Sequence, residues 1–232
     1  MTDNRKFEIV ADTELPGTPE RVWEAVTNGT AAWLFPNDGW DSVNIVEEYP
    51  HHLVNRMEGP DGWFNQLEHT LEPLEGGRAK LHYIHSGIFA DNWDEQYDGA
   101  SKHTGFYLHT LGQYLQFFDG RPVVFTDVQA PAASLTPDGF VKLKKALGVE
   151  GTAAGTRVEV DLDGVGRVNG EVDFANENFL GIRTSDTMYR FFGRNAFGAP
   201  VGITVHDFSG SGDAELTAKA WSGFLERVYS SN

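Results

Sequence analysis

The sequence predicts an α+β protein built from two tandem copies of one plan, each an antiparallel sheet closed by a long helix. Three observations carry this. Strand-like runs with a period of two are joined by tight turns, which argues for antiparallel meanders. Each series of strands ends in a helix with an apolar stripe at three- and four-residue spacing. The order strand, short helix, several strands, long helix occurs twice in 232 residues, dividing the chain into residues 1–120 and a more degenerate copy over 121–232. The competing arrangement is one domain with an unrelated extension.

The first copy opens at Lys6 to Leu15, where Phe7, Ile9, Ala11 and Thr13 alternate with Glu8, Val10, Asp12 and Glu14. Thr18, Pro19 and Glu20 then form a helix start: a capping hydroxyl, a proline in the first turn and an acid that suits the dipole. Val22, Trp23 and Val26 share a face, and Asn28-Gly29 ends the helix. Strands are expected at Asp41 to Glu47, with Val43 and Ile45 on one face, then at His52 to Glu58, Trp63 to Glu72 and Arg78 to Ser86. Gly59-Pro60-Asp61-Gly62 and Gly76-Gly77 supply turns. A helix over Asp94 to Phe118 closes the copy, with Thr104, Leu108, Leu111, Leu115 and Phe118 in its stripe.

The second copy begins with a strand at Val123 to Gln129. Thr136-Pro137 repeats the helix-start signal, and Phe140, Leu143 and Leu147 form a stripe that Gly148 stops. Strands follow at Thr156 to Leu162, Arg167 to Phe174, Phe179 to Thr184, Thr187 to Phe192 and Val201 to Phe208. The last helix starts near Ser211 or Asp213, with Leu216, Ala220, Trp221, Phe224 and Val228 as its stripe. Val158, Val160, Val172, Phe174 and Val205 are expected to point inward, so any cavity here should be smaller or filled.

Pro16-Gly-Thr-Pro-Glu-Arg-Val-Trp-Glu-Ala-Val26 resembles the opening of the SRPBCC (START-like, Bet v-like) superfamily. Trp33, the strand entry Glu47-Glu48-Tyr49-Pro50-His51-His52-Leu53-Val54, the paired strands at Trp63 to Glu72 and Leu81 to Gly87, and Gly105 with Leu108, Leu111 and Leu115 follow in the family's order. The branch most resembled is the activator of heat shock protein 90 ATPase-like one. The resemblance spans residues 6 to 118. It implies a helix-grip fold, a curved antiparallel sheet around a long C-terminal helix with a cavity between them. Members bind lipids, hormones or polyketides, or act as cyclases, aromatases or co-chaperones, and they share no universal catalytic residues.

Composition narrows the function. The formal charge of −16 marks an acidic protein, repels phosphate backbones and argues against nucleic-acid partners. No apolar run approaches the ~20 residues that span a bilayer, so membrane insertion is not expected. Cysteine is absent, which excludes disulfides and thiol chemistry and fits a reducing, cytoplasmic setting. No secretory signal opens the sequence. Gly164 to Gly170 lacks the spacing of a nucleotide loop and reads as a hairpin. Asp91 to Asp98 lacks calcium-loop spacing. No cofactor is implied.

The candidate site lies on the inner face of the last two strands of the first copy, Trp63 to Glu72 and Arg78 to Ser86. If Leu67 and Leu71 face inward, so do Trp63, Asn65 and His69; if Leu81 does, so do Tyr83 and His85. Four polar residues on a face that packing would make apolar point either to a wet or ligand-filled cavity or to groups that bond one another. Trp33, Phe35, Tyr97 and Tyr107 are further candidate lining. His69 and His85 are weak candidates for catalysis, with Tyr83 beside them. His82 should face away from His85, so a chelate is not formed and no metal is expected. The reading is non-enzymatic binding of a small apolar or amphipathic molecule. The alternatives are a co-chaperone-like module that binds a chaperone or other protein, and a cyclase- or hydrolase-type enzyme.

Overall fold

The computed structural model describes residues 5–37, 41–89 and 93–230. The chain divides into two units, Met1–Asp119 and Gly120–Asn232. Each has a helix-grip arrangement.

In the first unit β1 (Arg5–Leu15) is followed by α1 (Pro19–Thr27), then β2 (Ser42–Glu48), β3 (His52–Glu58), β4 (Phe64–Leu74), β5 (Arg78–Phe89) and α2 (Trp93–Phe117). The five strands form one sheet in the order β1-β5-β4-β3-β2, and every neighbouring pair is antiparallel. Thr18 occupies the N-cap position of α1, Pro19 follows it, and Thr18 makes no side-chain cap bond to the helix backbone. Phe7, Ile9 and Leu15 of β1, Leu71, Ala79 and Leu81 of β4 and β5, and Phe106, Leu111 and Leu115 of α2 are buried. Burying one such side chain contributes about 1.5–3 kcal/mol, so the stripe on α2 holds the helix to the sheet. Val43 and Ile45 are both exposed, and Ile45 falls within a register shift between Asn44 and Val46 that interrupts the alternation of β2.

The second unit repeats the plan: β6 (Val124–Gln129), α3 (Gly139–Ala146), β7 (Arg157–Leu162), β8 (Gly166–Ala175), β9 (Phe179–Arg183), β10 (Thr187–Phe192), β11 (Gly202–Asp207) and α4 (Ala214–Ser230). Its six strands run β6-β11-β10-β9-β8-β7. Both sheets thus place the first strand beside the last and wind back through the meander. Gly164 lies in the β7–β8 hairpin, with φ of 76° in the region that favours glycine. The core joins Val128, Phe140, Leu143, Val172, Ile182, Phe191 and Ile203 to Trp221, Phe224 and Leu225 of α4.

Three expectations change here. Thr136 does not start α3: a 3-10 turn over Ala132–Leu135 precedes it, and Asp138 takes the N-cap position. Leu216 is 66% exposed, so the buried stripe of α4 begins at Trp221 and runs on to Tyr229. Phe174 leaves the inner face. The β8 register shifts between Val172 and Phe174, setting Phe174 opposite Gly181 rather than Leu180. Gly181 pairs with Arg190, so Phe174 joins the face on which Arg190 meets Asp173 through Nη1 at 2.7 Å and 2.8 Å.

Candidate functional site

Between the sheet and α2 of the first unit lies a cavity of about 420 Å³. Cross-strand pairing builds its floor in rows, because residues opposite one another share a face. One row is Ile9, His85, Leu67, Asn55 and Asn44 across all five strands; the next is His69 with Tyr83 and Leu53. The end of α1 gives Val26, Thr27 and Asn28, and the segment after it gives Thr30, Trp33, Leu34 and Phe35. The roof is α2, through Ala100, His103, Thr104, Tyr107 and Leu108. No aspartate, glutamate, lysine or arginine lines the cavity among the described residues.

Trp33 is a strut: its indole N–H donates to the Ala25 carbonyl at 2.8 Å and it is buried. Phe35 and Tyr107 meet edge to face with centroids 6.5 Å apart, and Tyr107 also lies 6.0 Å from His103. His69 and Tyr83 form a similar pair at 5.2 Å. His69 is 5% exposed and its Nδ1 has no hydrogen-bond partner. Burial lowers its pKa to about 4 and raises that of Tyr83, so at neutral pH the imidazole is uncharged and the phenol keeps its proton. His85 Nε2 lies 2.7 Å from Asn65 Oδ1. A carbonyl oxygen only accepts, so Nε2 carries the proton and donates. The Phe7 ring stands edge-on to His85 at 4.9 Å, and burial depresses the His85 pKa to about 4.

Asn65, His69, Tyr83, His85, Trp33, Phe35 and Tyr107 are thus brought to one cavity. Trp63 and Tyr97 are not among its lining. Trp63 ends the Pro60–Gly62 turn ahead of β4 and folds back on Gly59, whose N–H donates to the Trp63 carbonyl at 2.9 Å. The alternation counted from Leu67 therefore stops before it. The Tyr97 hydroxyl reaches the Glu8 carbonyl at 3.4 Å. His82 pairs with Asp12 at 3.0 Å, and Asp12 lies next to Ala11, opposite Tyr83; this is the far face from His85, as the alternation requires. No group of three or more His, Asp or Glu among the described residues could hold a metal ion. Asp91 and Asn92 lie outside the described residues.

Lining that the sequence reading did not single out comprises Asn55, Met57 and His103 among others. Asn55 alternates with Leu53 and Met57 on β3, and Ala100, Thr104 and Tyr107 follow helical spacing on α2. Both signals were present in the sequence. In the second unit the inner face of α4 packs into the core through Trp221, Phe224 and Leu225, and an open groove runs beside the helix, with Tyr189, Val205, Leu216 and Trp221 along it and Asp207, Lys219 and Arg227 as charged members.

No family model matches the chain, and no curated protein matches it. Solved structures do. Protein MLL2253 from Mesorhizobium loti is 20% identical, with 49% of this chain and 99% of that one covered at a TM-score of 0.41. The Aha1 dimer from Colwellia psychrerythraea is 14% identical over 49% of this chain and 99% of that one, at 0.40. The di-domain ARO/CYC BexL from the BE-7585A biosynthetic pathway is 12% identical over 97% of this chain and 99% of that one, at 0.41. No helix among the described residues is long and apolar enough to cross a membrane.

Proposed function

We propose that the first unit is a cytoplasmic, non-enzymatic receptor that encloses a small apolar or amphipathic molecule. The observation that carries this reading is the cavity itself: about 420 Å³, floored by the sheet, roofed by α2, and lined by aromatic, aliphatic and amide groups. Pockets of this size with a few polar groups on apolar walls suit small organic guests. The same imidazoles argue against catalysis as the main role. A general base works best with a pKa near the operating pH, and His69 and His85 are held at about 4. The co-chaperone reading has less support. Val10 on β1 and Val43 and Ile45 on β2 are exposed, but β1 and β2 are opposite edges of the sheet, so they do not merge into one patch.

The test is fluorescence of N-phenyl-1-naphthylamine titrated with the full chain. Saturable enhancement is expected, lost when Leu67→Trp fills the cavity while the melting curve stays cooperative. Absence of enhancement in the native chain would refute the reading.

A further inference from the structure

The cavity's charge and proton inventory says more about the guest, given the binding reading above. A chain of net charge −16 has placed no ionised side chain among the described cavity lining. Bringing an ion into such a space, with no counter-charge to meet it, costs far more than bringing in a neutral molecule. Within the cavity, several protons are already committed to the protein, while Tyr83 and Asn65, which also line it, carry neutral donors of their own. The Trp33 indole N–H donates to Ala25, the Thr27 hydroxyl to the Trp23 carbonyl at 2.8 Å, and the Thr104 hydroxyl to the Ala100 carbonyl at 2.9 Å. His85 gives its Nε2 proton to Asn65. The Thr104 oxygen and His85 Nδ1 are left as lone-pair acceptors.

We propose that the cavity selects uncharged, hydroxyl-bearing aromatic molecules, the guest hydroxyl donating to His85 Nδ1 or Thr104 Oγ1, and rejects the carboxylate and ammonium analogues of the same ring. The aromatic walls at Phe35, Tyr83 and Tyr107 supply the stacking surface. The low pKa of His85 keeps its acceptor lone pair available at neutral pH. A hydroxyl that finds an acceptor gains a modest preference, and an unpaired charge loses a large one.

Displacement of N-phenyl-1-naphthylamine from the full chain at pH 7 tests this with four competitors that share a ring: 2-naphthol, 2-methoxynaphthalene, 2-naphthoate and 2-naphthylmethylammonium. The naphthol is expected to bind roughly three- to tenfold more tightly than the methyl ether. Both ions are expected to bind at least ~100-fold more weakly than the naphthol. His85→Phe should erase the preference of naphthol over ether while the ether still binds. Met57→Lys, which sets one cation in the lining, should reverse the order of naphthoate and naphthol. If the reporter binds but either ion competes as well as the naphthol, or the ether competes equally, this inference is overturned and the receptor reading stands. If the reporter does not bind at all, both fall.

Discussion

His69 shows what the cavity demands of single residues. It sits on β4 with Nδ1 buried and unpartnered, which costs about 1–3 kcal/mol for an ordinary polar group. Burial lowers its pKa from 6.5 to about 4. The sign follows: between those values the unfolded chain takes up a proton that the folded chain refuses. Its contribution is therefore retained above about pH 6.5 and lost as pH falls towards 4, a difference on the order of 3 kcal/mol. His69→Leu should match or exceed the native urea midpoint at pH 7 and lose less of it on acidification to pH 4.5. A large loss at pH 7 would mean that the imidazole is structurally partnered. At this scale the sequence was informative wherever a strand's period could be counted. Asn65, His69, Tyr83 and His85 followed from Leu67 and Leu81. Trp63 did not, because a 3-10 turn interrupts the count, and Tyr97 did not, because helical spacing alone does not say where along α2 the cavity ends.

Elements owe their positions to pairings that leave little tolerance. Gly87 lies opposite Phe7 on one side and Asn65 on the other. A Cβ there would stand 2.7 Å from the Phe64 carbonyl oxygen and 2.8 Å from the Phe7 ring. The backbone oxygen cannot yield without loosening the β4–β5 ladder, and the ring that would move is the one set against His85. Gly87→Ala should destabilise by about 1–3 kcal/mol, the usual range for overpacking, and should weaken reporter binding as His85 shifts. Unchanged stability by denaturant melt would show that the strands relax apart freely. Strand order and helix stripes were legible because periodicity reports them directly. The β8 bulge was not, since one extra residue changes the face of everything beyond it while leaving composition unaltered. The start of α3 was missed for a related reason: Thr136-Pro137 has the chemistry of a helix start, and the tight turn closed by the Gly139 N–H on the Thr136 carbonyl uses that chemistry too.

At the scale of the whole molecule the chain folds as two units, and the core of the second is built from its own residues. Trp221 stands at the centre of the second core, 2% exposed and edge-on to Phe191 and Phe224. Trp221→Ala should cost about 3–5 kcal/mol, seen as a lower melting temperature, while N-phenyl-1-naphthylamine binding to native protein stays within about twofold of the parent. Loss of binding in protein still folded would place the site elsewhere. The shared strand order has a consequence for how the chain is made. In each sheet the first strand closes only against the last, as Ile9 does with His85 and Val128 with Ile203. A ribosome releasing the chain from its N-terminus therefore exposes β1 long before β5 exists to receive it. The alternating charges of β1, Lys6, Glu8, Asp12 and Glu14, face outward there and make it a poor template for another nascent chain. Long-range closure of this kind is slow, and the acidic surface that plays no part in the cavity helps keep the waiting strand apart from its neighbours.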